Sequence, residues 1–276
     1  MYGANVHANG IRQHYLRYGG KGLPIVLLPG ITSPAITWGF VAERLGQKFD
    51  VHVLDTRGRG LSEASDHFDY GIDACSADVA EFVKAIGLQR YALMGHSFGA
   101  RIAIRVARRY PDALDRLVIV DPPVSGPGRR PYPADINWYL ESIRLMCLGG
   151  SHELLRSYLP TWTDDQLRLR AEWLHTCNAK AVADAYENFH QDDMHADLPG
   201  ISVPTLLVAA GRGDVIRPAE LDEIVRLTPN IDAVRVPAAG HMIPWDDEAG
   251  FFAALGDFLG DTINCPHADT QKTATA

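Results

Sequence analysis

Ser97 stands in Gly95-His96-Ser97-Phe98-Gly99, directly after the apolar run 91–94 and just before the helical stretch 100–110. A strand that turns at once into a helix exposes the residue at its bend, and flanking glycines permit the sharp turn. This context predicts Ser97 as a nucleophile. A serine hydroxyl is weak at neutral pH and needs a base. Of eleven histidines, His241 fits best, because it follows the short run 233–236 in the loop Pro237-Ala238-Ala239-Gly240-His241. In a parallel sheet, that loop opens on the same edge as the Ser97 turn. His96, beside the serine, is read as a lining or structural residue. The base needs a carboxylate to fix its tautomer and balance its charge. Asp121 ends the run 117–120, and Asp214 follows the run 205–209 within Gly211-Arg212-Gly213-Asp214. Both keep the chain order Ser, Asp, His, and spacing does not separate them. The negative oxygen formed on attack needs two N–H donors. Phe98 supplies one, and Ile31, in the turn Pro29-Gly30-Ile31 after the run 25–28, supplies the other.

These residues can meet only if particular elements carry them. Short apolar runs at 25–28, 49–54, 91–94, 117–120, 205–209 and 233–236 read as strands, several apolar on both faces as in a sheet buried between helices. Helical stretches at 77–86, 100–110, 219–227 and 248–259 alternate with them. Asn9-Gly10 between residues 5–8 and 11–17 signals a hairpin. The expected fold is α/β, with a mostly parallel sheet, right-handed crossovers and an antiparallel start. Residues 122–198 break the alternation. A Pro/Gly/Arg-rich opening leads to amphipathic stretches at 136–148, 152–158, 165–177 and 181–189, expected as a helical cap inserted into a core of 1–121 and 199–260. Residues 261–276 are polar and weakly patterned, and are expected to form a disordered tail.

Other polar clusters receive structural readings. Asp55-Thr56-Arg57-Gly58-Arg59-Gly60-Leu61-Ser62 reads as a tight scaffold loop tied by an Asp–Arg pair. Arg101, Arg105, Arg108 and Arg109 have the spacing of a solvated helix face. His190 and His195, near Asp192 and Asp193, read as a solvated loop in preference to a metal site. His152-Glu153 lacks the second histidine of a His-Glu-x-x-His zinc helix. No cofactor or metal is expected.

The chain has 276 residues, with 46% hydrophobic and 22% charged, enough for one large domain with a sizeable core. A net charge of −8 does not fit a broad nucleic-acid-binding surface. No apolar run approaches the roughly 18 residues that span a bilayer. Four cysteines (Cys75, Cys147, Cys177, Cys265) stand far apart, and residues 1–10 carry no secretory leader pattern. They are therefore expected as reduced thiols of a cytoplasmic protein.

Together, Pro29-Gly30-Ile31, the motif Asp55-x-Arg57-Gly58-x-Gly60-x-Ser62, the Ser97 turn, Asp214 and Gly240-His241 resemble the alpha/beta-hydrolase superfamily over about residues 6–259. The resemblance implies an eight-stranded, mostly parallel sheet. A serine at the nucleophile position departs from haloalkane dehalogenases and epoxide hydrolases, which use aspartate, and Pro29-Gly30 replaces the usual His-Gly. A closer resemblance runs through Gly30-Ile31-Thr32-Ser33-Pro34, residues 120–133 and residues 240–247. These look like the deformylases of nicotinate breakdown and a related hydrolase group of vitamin B6 breakdown. In that subgroup the triad acid lies after the strand that precedes the cap, which selects Asp121 over Asp214. The implied chemistry is metal-independent hydrolysis of a formyl C–N bond through a formyl-enzyme. The implied partner is a small carboxylate-bearing substrate, and the oligomeric state stays open. An anion in a closed pocket calls for arginine, and Arg129, Arg130, Arg144, Arg168 and Arg170 all fall in the expected cap. Alternatives on the same scaffold are a carboxylesterase, a carbon–carbon bond hydrolase or, more remotely, a small-molecule receptor.

Overall fold

The computed structural model describes residues 1–261. Cys265 and nearly all of the expected tail lie outside the described residues. The chain opens with a hairpin of β1 (Tyr2–Ala8) and β2 (Ile11–Gly19), paired antiparallel. At its tip Asn9 and Gly10 have φ of 51° and 75°, the left-handed pair that a two-residue hairpin turn requires. β3 (Pro24–Leu28), α1 (Gly39–Leu45), β4 (Asp50–Leu54), α2 (Ile72–Ala85), β5 (Tyr91–His96), α3 (Phe98–Arg109) and β6 (Leu114–Val120) follow. After β6 come α4 (Ile136–Cys147), α5 (Asp164–Leu174), α6 (Ala179–Gln191) and the short α7 (Met194–Asp197). The chain then returns through β7 (Thr205–Ala210), α8 (Pro218–Leu227), β8 (Ile231–Val236), the short α9 (Ile243–Asp246) and α10 (Glu248–Leu255).

The eight strands lie in the order β1-β2-β4-β3-β5-β6-β7-β8, all parallel from β4 to β8. Successive residues of the central strands feed opposite layers. Val26, Leu28, Leu93, Leu117, Ile119 and Leu207 pack with α2, α3 and α8. Ile25, Leu27, Met94, Val118, Val120 and Val208 pack with α1 and α10. Both faces are dry, which explains why these strands read as continuous apolar runs with no polar alternation. The helices expected at 77–86, 100–110 and 219–227 start earlier, the one expected at 248–259 starts at Glu248 and ends at Leu255, and α1 was not expected. Its sequence, Gly-Phe-Val-Ala-Glu-Arg-Leu, is short and carries no capping side chain.

Between β6 and β7 the described residues form helices and no strand. Side chains that halt the chain mark their starts. Asp135 accepts from the Asn137 N–H, Thr163 and Gln166 form a reciprocal capping box, and Asn178 accepts from the Ala181 N–H. Their apolar faces, through Tyr139, Ile143, Leu167, Val182 and Phe189, are continuous with the α2–α3 side of the core.

Two polar clusters differ from expectation. Arg101 and Arg105 are buried, since their face of α3 meets the β6–β7 helices and not water. Arg101 donates to the carbonyls of Pro123, Ser125 and Phe189 and to Asp192, while Arg105 pairs with Asp73, Asp192 and Asp197. Helical spacing finds the basic stripe but not the carboxylates opposite. Arg108 and Arg109 are exposed. His195 is also buried, in α7 and not in a solvated loop, and burial pushes its pKa down to about 4.

Candidate active site

The Ser97 turn is a backbone constraint before it is a chemical group. Ser97 has φ 54° and ψ −117°, a region L residues rarely occupy. A side-chain carbon on Gly95 would lie 2.2 Å from the Gly99 carbonyl oxygen, and one on Gly99 would lie 2.1 Å from that of Leu28. Only glycine permits β3, β5 and α3 to approach this closely. The bend is held by the Ser97 N–H, which donates to the Val120 carbonyl at 2.9 Å. It leaves the hydroxyl on the wall of a cavity between the strand-end loops and the β6–β7 helices, with a volume of about 450 Å³.

His241 reaches that hydroxyl from the loop after β8. Its Nε2 lies 3.0 Å from Ser97 Oγ, and its Nδ1 lies 2.7 Å from Asp121 Oδ2. Asp121 is fully buried at the end of β6, with φ of 46°. Its other oxygen accepts from the Ala210 N–H at 3.1 Å, so both carboxylate oxygens are satisfied and the group is fixed. Asp214 is exposed and pairs with Arg217 at 2.7 Å, which holds its carboxyl below the usual range. It does not contact His241.

His96 faces the same centre. Its Nε2–H donates to the His241 carbonyl at 2.9 Å, and its ring packs against those of Trp38 and His241. Burial, helped by the neighbouring His241, pushes its pKa down to about 3. It therefore stays neutral and pins the backbone of His241. The Gly30 turn lies against the site: a side-chain carbon there would sit 3.6 Å from Ser97 Cβ. This brings the Ile31 segment beside the serine. Phe98 is the first residue of α3, where an N–H has no intrahelical acceptor.

Arg59, expected only as scaffold, is fully buried. It donates to the carbonyls of Ile31 at 3.1 Å and Ala181 at 2.9 Å, and its guanidinium lies over the Phe98 ring. Asp55 is not paired with an arginine of its own loop. It accepts from the N–H groups of Ala35 and Leu61 and contacts His14, while Arg57 pairs with Asp78. The reason is direction: Asp55 turns toward the β3 loop, and Arg57 turns toward α2.

The structure does not bring Arg129, Arg130, Arg144 or Arg168 to the cavity wall. They pair with Glu223, Glu220, Glu141 and Asp165 respectively. Arg170 does line the cavity. It is buried, donates to Thr32 Oγ1 at 2.9 Å, and lies over Trp162. Among the described residues no carboxylate pairs with it, and burial pulls its pKa down.

Tyr132 and Tyr139 were not singled out from the sequence. Their hydroxyls lie 3.1 Å apart, and that of Tyr132 is 3.5 Å from His241 Nε2. The available signal was Pro131-Tyr132-Pro133, an aromatic residue on backbone stiffened from both sides. Trp162 stacks on Trp245 of α9 with centroids 5.3 Å apart, joining the β6–β7 helices to the far loop. Among the described residues no three His, Cys, Asp or Glu side chains could hold a metal ion. No described helix is long and apolar enough to cross a membrane.

The arrangement can attack a carbonyl, hold the resulting oxyanion and pass a proton to a leaving group. Comparison with known proteins agrees with that chemistry. The chain is 59% identical over 257 residues to an N-formylmaleamate deformylase of Pseudomonas putida, covering 93% of this chain and 96% of that one. It is 25% identical to a 2-(acetamidomethylene)succinate hydrolase of Mesorhizobium japonicum, covering 83% of this chain and 84% of that one. The crystal structure of an N-formylmaleamic acid deformylase from Pseudomonas putida S16 matches with a TM-score of 0.89 and 54% identity, covering 92% of this chain and 99% of that one. The alpha/beta hydrolase fold profile matches residues 24–248. With this sheet order and this serine bend, the chain belongs to the alpha/beta hydrolase fold family.

Proposed function

We propose that the protein is a serine hydrolase that cleaves the formyl C–N bond of N-formylmaleamate, giving maleamate and formate. The observation that carries this reading is the 59% identity to a deformylase of that name along nearly the whole of both chains. The site geometry supports the chemistry. Ser97 Oγ, relieved of its proton by His241, attacks the formyl carbon. The formyl group is the less hindered of the two carbonyls flanking the nitrogen, since it carries only hydrogen. The N–H groups of Ile31 and Phe98 take the oxyanion, and Asp121 stabilises the charged imidazole. His241 Nε2 returns the proton to the departing nitrogen and then activates water against the formyl ester of Ser97.

The substrate also carries a carboxylate, and two arginines line the cavity without a carboxylate partner among the described residues, Arg170 and Arg212; Arg212 is exposed and donates to the Ala238 carbonyl, whereas Arg170 is buried. A buried guanidinium on an apolar wall favours a bidentate anion, so Arg170 is assigned to the substrate carboxylate. The helices between β6 and β7 act as the cap that closes over it. The test is incubation of the purified protein with N-formylmaleamate. Formate and maleamate should form in equal amounts, and absence of formate would refute the reading.

A further inference from the structure

The triad and the two backbone donors account for attack, but amide cleavage also has to stabilise a poor leaving group. His241 Nε2 is the atom that delivers the proton to the departing nitrogen, so that nitrogen must approach to about 3 Å. Any group already within hydrogen-bond range of Nε2 therefore borders the leaving group. The Tyr132 hydroxyl is such a group, 3.5 Å from Nε2, on the wall of the cavity that Ser97 and His241 also line. We propose that Tyr132 is a catalytic residue that donates a hydrogen bond to the second carbonyl oxygen of the substrate, the one on the leaving side of the scissile nitrogen. The proposal rests on the deformylase reading above.

The electron balance explains why that oxygen matters. As the Ser97 Oγ–carbon bond is completed and the carbon–nitrogen bond breaks, the bonding pair moves to nitrogen. There it delocalises onto the adjacent carbonyl oxygen, two bonds away. A donor at that oxygen stabilises charge that is largest in the transition state, which is where binding accelerates a reaction. The proton that ends on nitrogen comes from His241, and Tyr132 keeps its own.

The side chain is built for a fixed task. Its backbone lies between Pro131 and Pro133, its N–H donates to His190 Nε2 at 3.2 Å, and its ring packs on Phe189 at 5.0 Å between centroids. Tyr139, 3.1 Å away, can donate to the Tyr132 oxygen and leave the Tyr132 proton free for substrate. Burial holds the Tyr132 pKa far above the ordinary tyrosine range, so the hydroxyl remains a donor.

The experiment compares Tyr132→Phe with the wild type on two formyl donors. N-formylmaleamate needs help with its leaving group, whereas p-nitrophenyl formate, whose phenolate departs readily, does not. Tyr132→Phe should lower kcat/KM for N-formylmaleamate by about 10- to 100-fold, the usual range for one hydrogen bond to a charged group. It should leave kcat/KM for the ester within about threefold, because the donor acts only on the amide leaving group. Retained ester hydrolysis also shows that the variant is folded. An unchanged value on N-formylmaleamate overturns the proposal. An equal fall on both donors overturns it too, since Tyr132 would then serve the triad or the fold at large. A wild-type protein that cleaves the ester but releases no formate from N-formylmaleamate refutes the parent reading itself, and this assignment falls with it.

Discussion

At the scale of single residues, the site is a matter of which atoms face each other. Two aspartates were compatible with the chain order, and only Asp121 meets the second ring nitrogen of His241. Asp121→Asn should lower kcat by about 10⁴-fold, because an amide at that position favours the wrong imidazole tautomer. Asp214→Asn should stay within about threefold of wild type, since an exposed ion pair with Arg217 is worth little. Steady-state formate release from the two variants checks both expectations, and a larger loss at residue 214 would contradict the triad. Arg170→Met should lower kcat/KM about 10- to 100-fold for N-formylmaleamate, the range of a charged hydrogen bond. Its effect on the uncharged methyl ester of the same compound should be much smaller. Equal losses on the two compounds would mean that Arg170 does not read the carboxylate.

At the scale of elements, three backbones converge where β5 turns into α3, and Gly99 is the point of closest approach to β3. Gly99→Ala should cost about 3 kcal/mol or more, because its methyl group would overlap the rigid Leu28 carbonyl. Urea unfolding measures this, and an unshifted midpoint would show that the bend can relax. This bend was legible in the sequence, since glycine–serine–glycine between a strand and a helix leaves few conformations. Strand faces were legible as well, because runs apolar on both sides need two helical layers. What escaped was contact between distant segments. Helical spacing grouped Arg101 and Arg105 but could not show Asp192 and Asp197 on the other side. The carboxylate on His241 could not be chosen from spacing, because two strand ends offered one. Tyr132 lies within the segment 120–133 that carries the closer resemblance, but that segment gave it no role, because its role comes from a tertiary approach to Nε2 across 109 positions.

At the scale of the whole molecule, burial of neutral histidines sets the response to acid. His96 is held down to about 3 and His195 to about 4, both chiefly by burial. The unfolded chain protonates these rings near 6.5, so between about pH 6.5 and pH 4 it binds protons that the native state does not. Stability should therefore fall as pH drops through that window, by of order 1 kcal/mol per pH unit for each histidine. His195→Asn, remote from the triad, should reduce the slope of unfolding free energy against pH, and an unchanged slope would contradict the assignment. Above all these scales stands the hydroxyl at the bend, to which the sheet, its loops and the β6–β7 helices are fitted. The measurement that bears on it most directly is formate release from N-formylmaleamate by Ser97→Ala beside the wild type, with thermal melting as the fold control. The account predicts a fall in kcat of at least about 10⁴-fold at an unchanged melting temperature. A folded Ser97→Ala protein that still releases formate at a rate near that of the wild type would contradict it.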